Sequence, residues 1–145
     1  MKNILVALKE GDHAKLLLEQ ATPLALKFGS KIWLLHVADP EPDFVGNKVG
    51  PQYVRDNLAK ELREEHQFLQ NLANELAAKG ILAEGLLIQG ATVEMILNEV
   101  DRLDIDLVVI GRHHHSWLDR LLTGSTHPAV VRKATVPVLI VPLPE

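Results

Sequence analysis

Apolar residues gather in short runs at positions 3–8, 31–37, 82–88, 106–110 and 136–141. Each run is nearly continuous and not alternating, the pattern of strands covered on both faces. Between the first two runs, Ala14, Leu17, Leu18, Ala21, Ala25 and Phe28 recur at helical spacing, and Gly29 supplies a stop. Over residues 51–79, Leu58, Leu62, Leu69, Leu72, Ala73 and Leu76 form a second stripe, with Asp56 and Lys60 paired on the outer face and Gly80 closing it. A third helix is predicted from Thr92, taken as N-cap, with Ile96, Leu97 and Val100 inward; Asp104 and Asp106 then mark the turn into the next strand. A fourth is predicted over 128–133. Residues 38–50, with Asp39, Pro40, Glu41, Pro42, Gly46 and Gly50, read as a connection within one domain.

Strands that alternate with helices predict βαβ units around a parallel sheet. With right-handed crossovers the expected architecture is a five-stranded, doubly wound α/β sheet of order 3-2-1-4-5, one domain over residues 1–145. Ligands in such sheets bind past the carboxyl ends of the strands where the winding reverses, here between strands one and four. The loops to inspect are therefore 9–12 and the run after Gly111.

Composition narrows the field further. Hydrophobic residues are 47% and charged residues 23%, a globular balance, and the absence of cysteine removes disulfide frameworks and thiolate zinc sites. A net charge of -4 gives no basic footprint for nucleic acid. No run reaches the ~20 apolar residues of a membrane span, and the short run after Lys2 and Asn3 does not have the form of a signal peptide. A cytoplasmic location is expected.

After strand four the chain reads Gly111-Arg112-His113-His114-His115-Ser116-Trp117-Leu118-Asp119-Arg120-Leu121-Leu122-Thr123-Gly124-Ser125-Thr126. This resembles the universal stress protein signature Gly-x2-Gly-x9-Gly-[Ser/Thr]; Gly111 and Gly124-Ser125 match it, and His114 occupies the second glycine position. The blocks Lys2 to Ala7, Leu35-His36-Val37, Asp106 to Gly111 and Val136 to Pro142 are similar to family blocks too. The resemblance implies a Rossmann-like fold of the adenine nucleotide alpha hydrolase type. It also implies a stress-response regulator that dimerises through its last strand.

In the nucleotide-binding branch of that family the resemblance implies a site of Ala7, Leu8, Lys9, Val37, Ile110, Gly111, His114, Gly124, Ser125 and Thr126. The base would sit against Ala7, Leu8 and Val37, while Gly111, Gly124, Ser125 and Thr126 would face the phosphates of ATP or AMP. Three positions oppose this. His114 puts a ring where glycine permits close approach, Pro128 deletes an N–H from the first helical turn, and Lys9 stands where that branch carries an acid, so that the carboxylate is either replaced by Glu10 or Asp12 or absent. The pattern Gly111 to Leu121 is closer to the universal stress protein A branch, associated with dimers that do not retain ATP.

Other readings of the same residues are weaker. Adjacent histidines seldom converge on one metal, so no metal site is expected at His113, His114, His115 and His127. Ser125 lacks a nucleophile elbow and reads as a phosphate contact or helix cap, while His36 reads as a satisfied core histidine. No P-loop, zinc-helix or dinucleotide fingerprint occurs, which speaks against a dedicated enzyme. The last strand, with Val136, Val138, Leu139, Ile140 and Val141, is the expected homodimer interface, because an edge so apolar needs covering. A regulatory dimer without retained nucleotide ranks first, an adenine-nucleotide sensor second and a slow nucleotide hydrolase third.

Overall fold

The computed structural model describes residues 1–9, 13–38, 52–113 and 126–144. Its elements follow the predicted alternation: β1 (Asn3–Leu8), α1 (Ala14–Phe28), β2 (Lys31–Ala38), α2 (Gln52–Ala78), β3 (Ala83–Gln89), α3 (Thr92–Arg102), β4 (Leu107–His113), α4 (Thr126–Lys133) and β5 (Val138–Leu143). All neighbouring strands are parallel, in the order β3-β2-β1-β4-β5. This is the expected doubly wound sheet.

The two faces bury separate clusters. On one, α1 contributes Leu17, Leu18 and Ala21, and α2 contributes Leu69, Leu72 and Leu76, against Ile4, Val6, Ile32, Leu34 and Val109. On the other, Ile96 and Val100 of α3 and Val130 of α4 cover Leu5, Leu35, Val108 and Ile110. Successive strand residues serve opposite faces, so near-continuous apolar runs are needed. α1 ends as its sequence predicts: Gly29 takes a left-handed φ of 66° and its N–H reaches the Ala25 carbonyl.

Several positions differ from the pattern reading. β4 runs three residues further, through Gly111, Arg112 and His113, which pair with Val141, Pro142 and Leu143. β5 begins at Val138 and not Val136, because the chain bends at residues 135–136 before Pro137. Ala91, not Thr92, is the residue before the first turn of α3. Leu58 and Leu62 keep the helical spacing of α2 but are only half-buried, outside both core clusters. Residues 39–51 and 114–125, with the histidine run from His114 and with Trp117, Gly124 and Ser125, lie outside the described residues.

Candidate functional site

β1 and β4 lie side by side, with Ala7 opposite Ile110, and their connections leave toward opposite sides of the sheet. This is the switch point, and its crevice opens at the carboxyl ends of the strands. Ala7 and Val37 are half-buried and pack with buried Ile110 on the α3/α4 face. Three members of the sequence-derived site are thus brought together as a small apolar wall. α4 starts at Thr126 on the same side.

Leu8 is placed elsewhere. Its side chain is buried in the α1/α2 cluster, one strand position on from Ala7 and therefore on the opposite face. Lys9 is exposed beyond the end of β1. Gly111 belongs to the sheet and does not open a loop. A Cβ there would stand 2.4 Å from Leu143 Cδ1 and 3.6 Å from Leu17 Cδ2, so Leu143 would have to shift to admit any side chain at the first signature position. His114, Gly124 and Ser125 fall outside the described residues, as do the side chains of His113, Thr126 and His127.

The α1/α2 face of this pole holds polar groups that the sequence reading did not connect. His36 Nδ1 lies 2.9 Å from the Leu8 carbonyl oxygen, and Nε2 lies 3.1 Å from Glu65 Oε2 on α2. The ring is satisfied at both nitrogens, as expected of a histidine inside an apolar strand, though its second partner was not foreseen. Leu8, Lys9, His36, Glu61, Glu64, Glu65, Phe68 and Leu69 enclose a pocket of about 300 Å³ here. With its glutamates, this flank of the pole suits no phosphate. The signal for the contact was a histidine in an otherwise aliphatic strand; its partner, 29 positions later, carries no mark of its own.

At the β5 edge, the Val108 N–H donates to the Pro137 carbonyl at 3.0 Å, and Val108 is the register partner of Val138. In a parallel ladder this turns the backbone groups of Leu139, Val141 and Leu143 toward β4 and those of Val138, Ile140 and Pro142 outward. Ile140 is among the exposed large hydrophobics of the described residues. Of the predicted interface residues, Val138 and Ile140 thus present the edge, Leu139 and Val141 belong to the ladder with β4, and Val136 packs on the α3/α4 core.

Comparison with known proteins identifies the class. The chain matches the universal stress protein family over residues 1–142 and belongs to that family. It is 30% identical over 142 residues to the universal stress protein in QAH/OAS sulfhydrylase 3'region of Thermus aquaticus, covering 97% of this chain and 98% of the relative. A universal stress protein family structure from Burkholderia pseudomallei superposes with a TM-score of 0.72 at 23% identity, covering 98% and 96% of the two chains. A family protein from Arabidopsis thaliana, solved with AMP bound, gives 0.64 at 21% identity, covering 98% and 92%.

Proposed function

We propose that this universal stress protein is a cytoplasmic, homodimeric regulatory module, paired through β5 and without a catalytic constellation of its own. The observation that carries the pairing is the composition and direction of the β5 edge. Its outward N–H groups belong to Val138 and Ile140, the third outward position is Pro142, and the exposed side chain is Ile140. A two-fold axis beside the strand would pair these groups with their own copies and satisfy them in one closed contact. Pro142, having no N–H to give, ends the ladder after a few residues. Amide hydrogen exchange tests this directly. Val138 and Ile140 should exchange slowly despite facing away from β4; exchange at the rate of open backbone would contradict the pairing.

A second reading, an adenine-nucleotide sensor, is favoured by the apolar wall of Ala7, Val37 and Ile110 at the switch point and by the AMP-bound relative. Against it stand Lys9 beyond β1 and the glutamates lining the neighbouring pocket. Among the described residues, the apolar wall suits a base. The test is mass analysis of acid-quenched protein for co-purifying ATP, ADP or AMP, followed by calorimetry with AMP and with ATP and magnesium. The sensor reading expects retention or binding that Gly124→Val abolishes and His114→Gly strengthens. No retained nucleotide and no binding heat in either form leaves the first reading alone; product formation over time would mark a hydrolase.

A further inference from the structure

α2 is long for the sheet it covers. Its 27 residues extend about 40 Å at 1.5 Å per residue, whereas β3 beneath it, with seven residues, extends roughly 23 Å. The downstream turns are anchored by buried Leu69, Leu72, Ala73 and Leu76. Upstream, the described side chains of residues 55–67 are exposed or half-exposed, so these turns overhang the carboxyl ends of the strands. There Glu65 meets His36 of β2, whose other nitrogen holds the last residue of β1.

We propose that His36 and Glu65 form a proton-operated clasp, closed when the pair carries an extra proton and opened by its loss, which fastens the overhanging turns of α2 to the ends of β1 and β2. Both ring nitrogens face oxygens, and a backbone carbonyl and an ionised carboxylate can only accept. A neutral imidazole has a single N–H, so against an ionised carboxylate the two contacts coexist only when the ring carries a second proton. When that proton leaves to solvent, the ring keeps one partner and turns a lone pair to the other. The partner released is Glu65, whose side chain is 44% exposed and can turn to water, whereas the Leu8 carbonyl is fixed by the strand.

Among the described residues, the charged groups around the pair lie at the end of β1 and on α2. Lys9 projects from the end of β1, and Glu61 and Glu64 share the pocket with Glu65, Glu64 lying 3.8 Å from Lys60. β3 sets Leu87 beside His36, and α1 turns Leu17, Leu18 and Ala21 toward the sheet. Release would free the overhanging turns of α2 beside the 300 Å³ pocket without breaking the apolar core below it. The clasp stands whether or not the crevice on the opposite face takes a nucleotide.

The experiment follows the His36 ring nitrogens by NMR in the full chain from about pH 5 to pH 9, with amide exchange read over residues 58–69 and corrected for its intrinsic pH dependence. The expected result is a ring protonated at both nitrogens at the acid end. As the ring loses its proton, exchange in those turns should quicken several-fold, while that of residues 72–76 stays put. Glu65→Gln, at a half-exposed position that tolerates change, should remove the step, and His36→Gln should do the same. The clasp is overturned by a ring that holds one protonation state throughout, by α2 exchange indifferent to its titration, or by a step that persists in Glu65→Gln.

Discussion

Gly111 and Gly85 are held to hydrogen side chains by their neighbours and not by backbone angle. A Cβ on Gly85 would come within 2.7 Å of Leu69 Cβ and 3.3 Å of the Leu69 carbonyl carbon, where α2 packs on β3; on Gly111 it would strike Leu143. Overpacking of this kind costs about 1–3 kcal/mol. Gly85→Ala should lower the unfolding free energy by that amount, read as a lower denaturation midpoint at unchanged slope, and Gly111→Ala should lower it by less, because the Leu143 side-chain end can move; an unaltered midpoint in Gly85→Ala would show that Leu69 gives way. Asp106 is different, since its exposed carboxylate accepts the N–H groups of Lys2 at 2.7 Å and Asn3 at 2.9 Å. The Asn3 and then the Lys2 hydrogen bonds hold it below the usual carboxylate range. A depressed folded-state pKa contributes stability above the unfolded value of ~3.9 and loses it as pH falls through the lowered one. Asp106→Asn should thus be less stable than the unmodified protein near neutrality, with the gap narrowing below about pH 4. A gap constant down to about pH 2 would remove the carboxylate from the account.

Among the elements, α1 runs through Pro23 without interruption, although the ring removes the donor that would reach the Glu19 carbonyl. Five buried apolar residues, Ala14, Leu17, Leu18, Ala21 and Ala25, hold the helix to the sheet on either side of the defect. Pro23 is exposed, so Pro23→Ala should restore a helical hydrogen bond at no packing cost. The gain is about 2 kcal/mol, from ~3 kcal/mol of helix propensity less ~1 for the freer unfolded chain. A thermal scan should show Tm raised by several degrees; a fall would mean that the proline is needed where it stands.

The elements also show what hydropathy could reveal. Strand order came from the winding expected of βαβ units, while the strands and the helix spans were legible because each apolar run faces two covered sides and stripes end at stops such as Gly29. The end of β4 was not. A glycine after aliphatics reads as the start of a loop, and only its pairing with Val141 shows that Gly111 sits within the sheet. Leu58 and Leu62 continue the α2 stripe past the point where the sheet ends, because periodicity records the face of a helix and not the length of what lies under it. The glycine signature was legible as sequence, and so were Ala7, Val37 and Ile110; that Leu8 serves the other face follows from strand alternation alone.

For the whole molecule, the sheet has two edges and they are not equivalent. β3 turns the backbone of Ala83, Gly85, Leu87 and Gln89 outward, since the Ile32 N–H donates to the Leu82 carbonyl. Polar Glu84 and Gln89 stand exposed along that strand, and Glu84 is tied to Lys31 at 2.9 Å, charges of the kind that discourage edge pairing. β5 has no such guard. Substitution by proline should separate its two roles, because Ile140 lends its N–H to the open edge and Leu139 to β4. Ile140→Pro should yield a folded monomer, and Leu139→Pro should lose the sheet itself; a fully dimeric Ile140→Pro protein would place the contact elsewhere.

The most direct test is the molar mass of the unmodified protein in solution, measured by light scattering over micromolar concentrations. Pairing through β5 predicts a monodisperse species of about 32 kDa, twice the 16.1 kDa of one chain. A monodisperse species at 16.1 kDa across that range would contradict it.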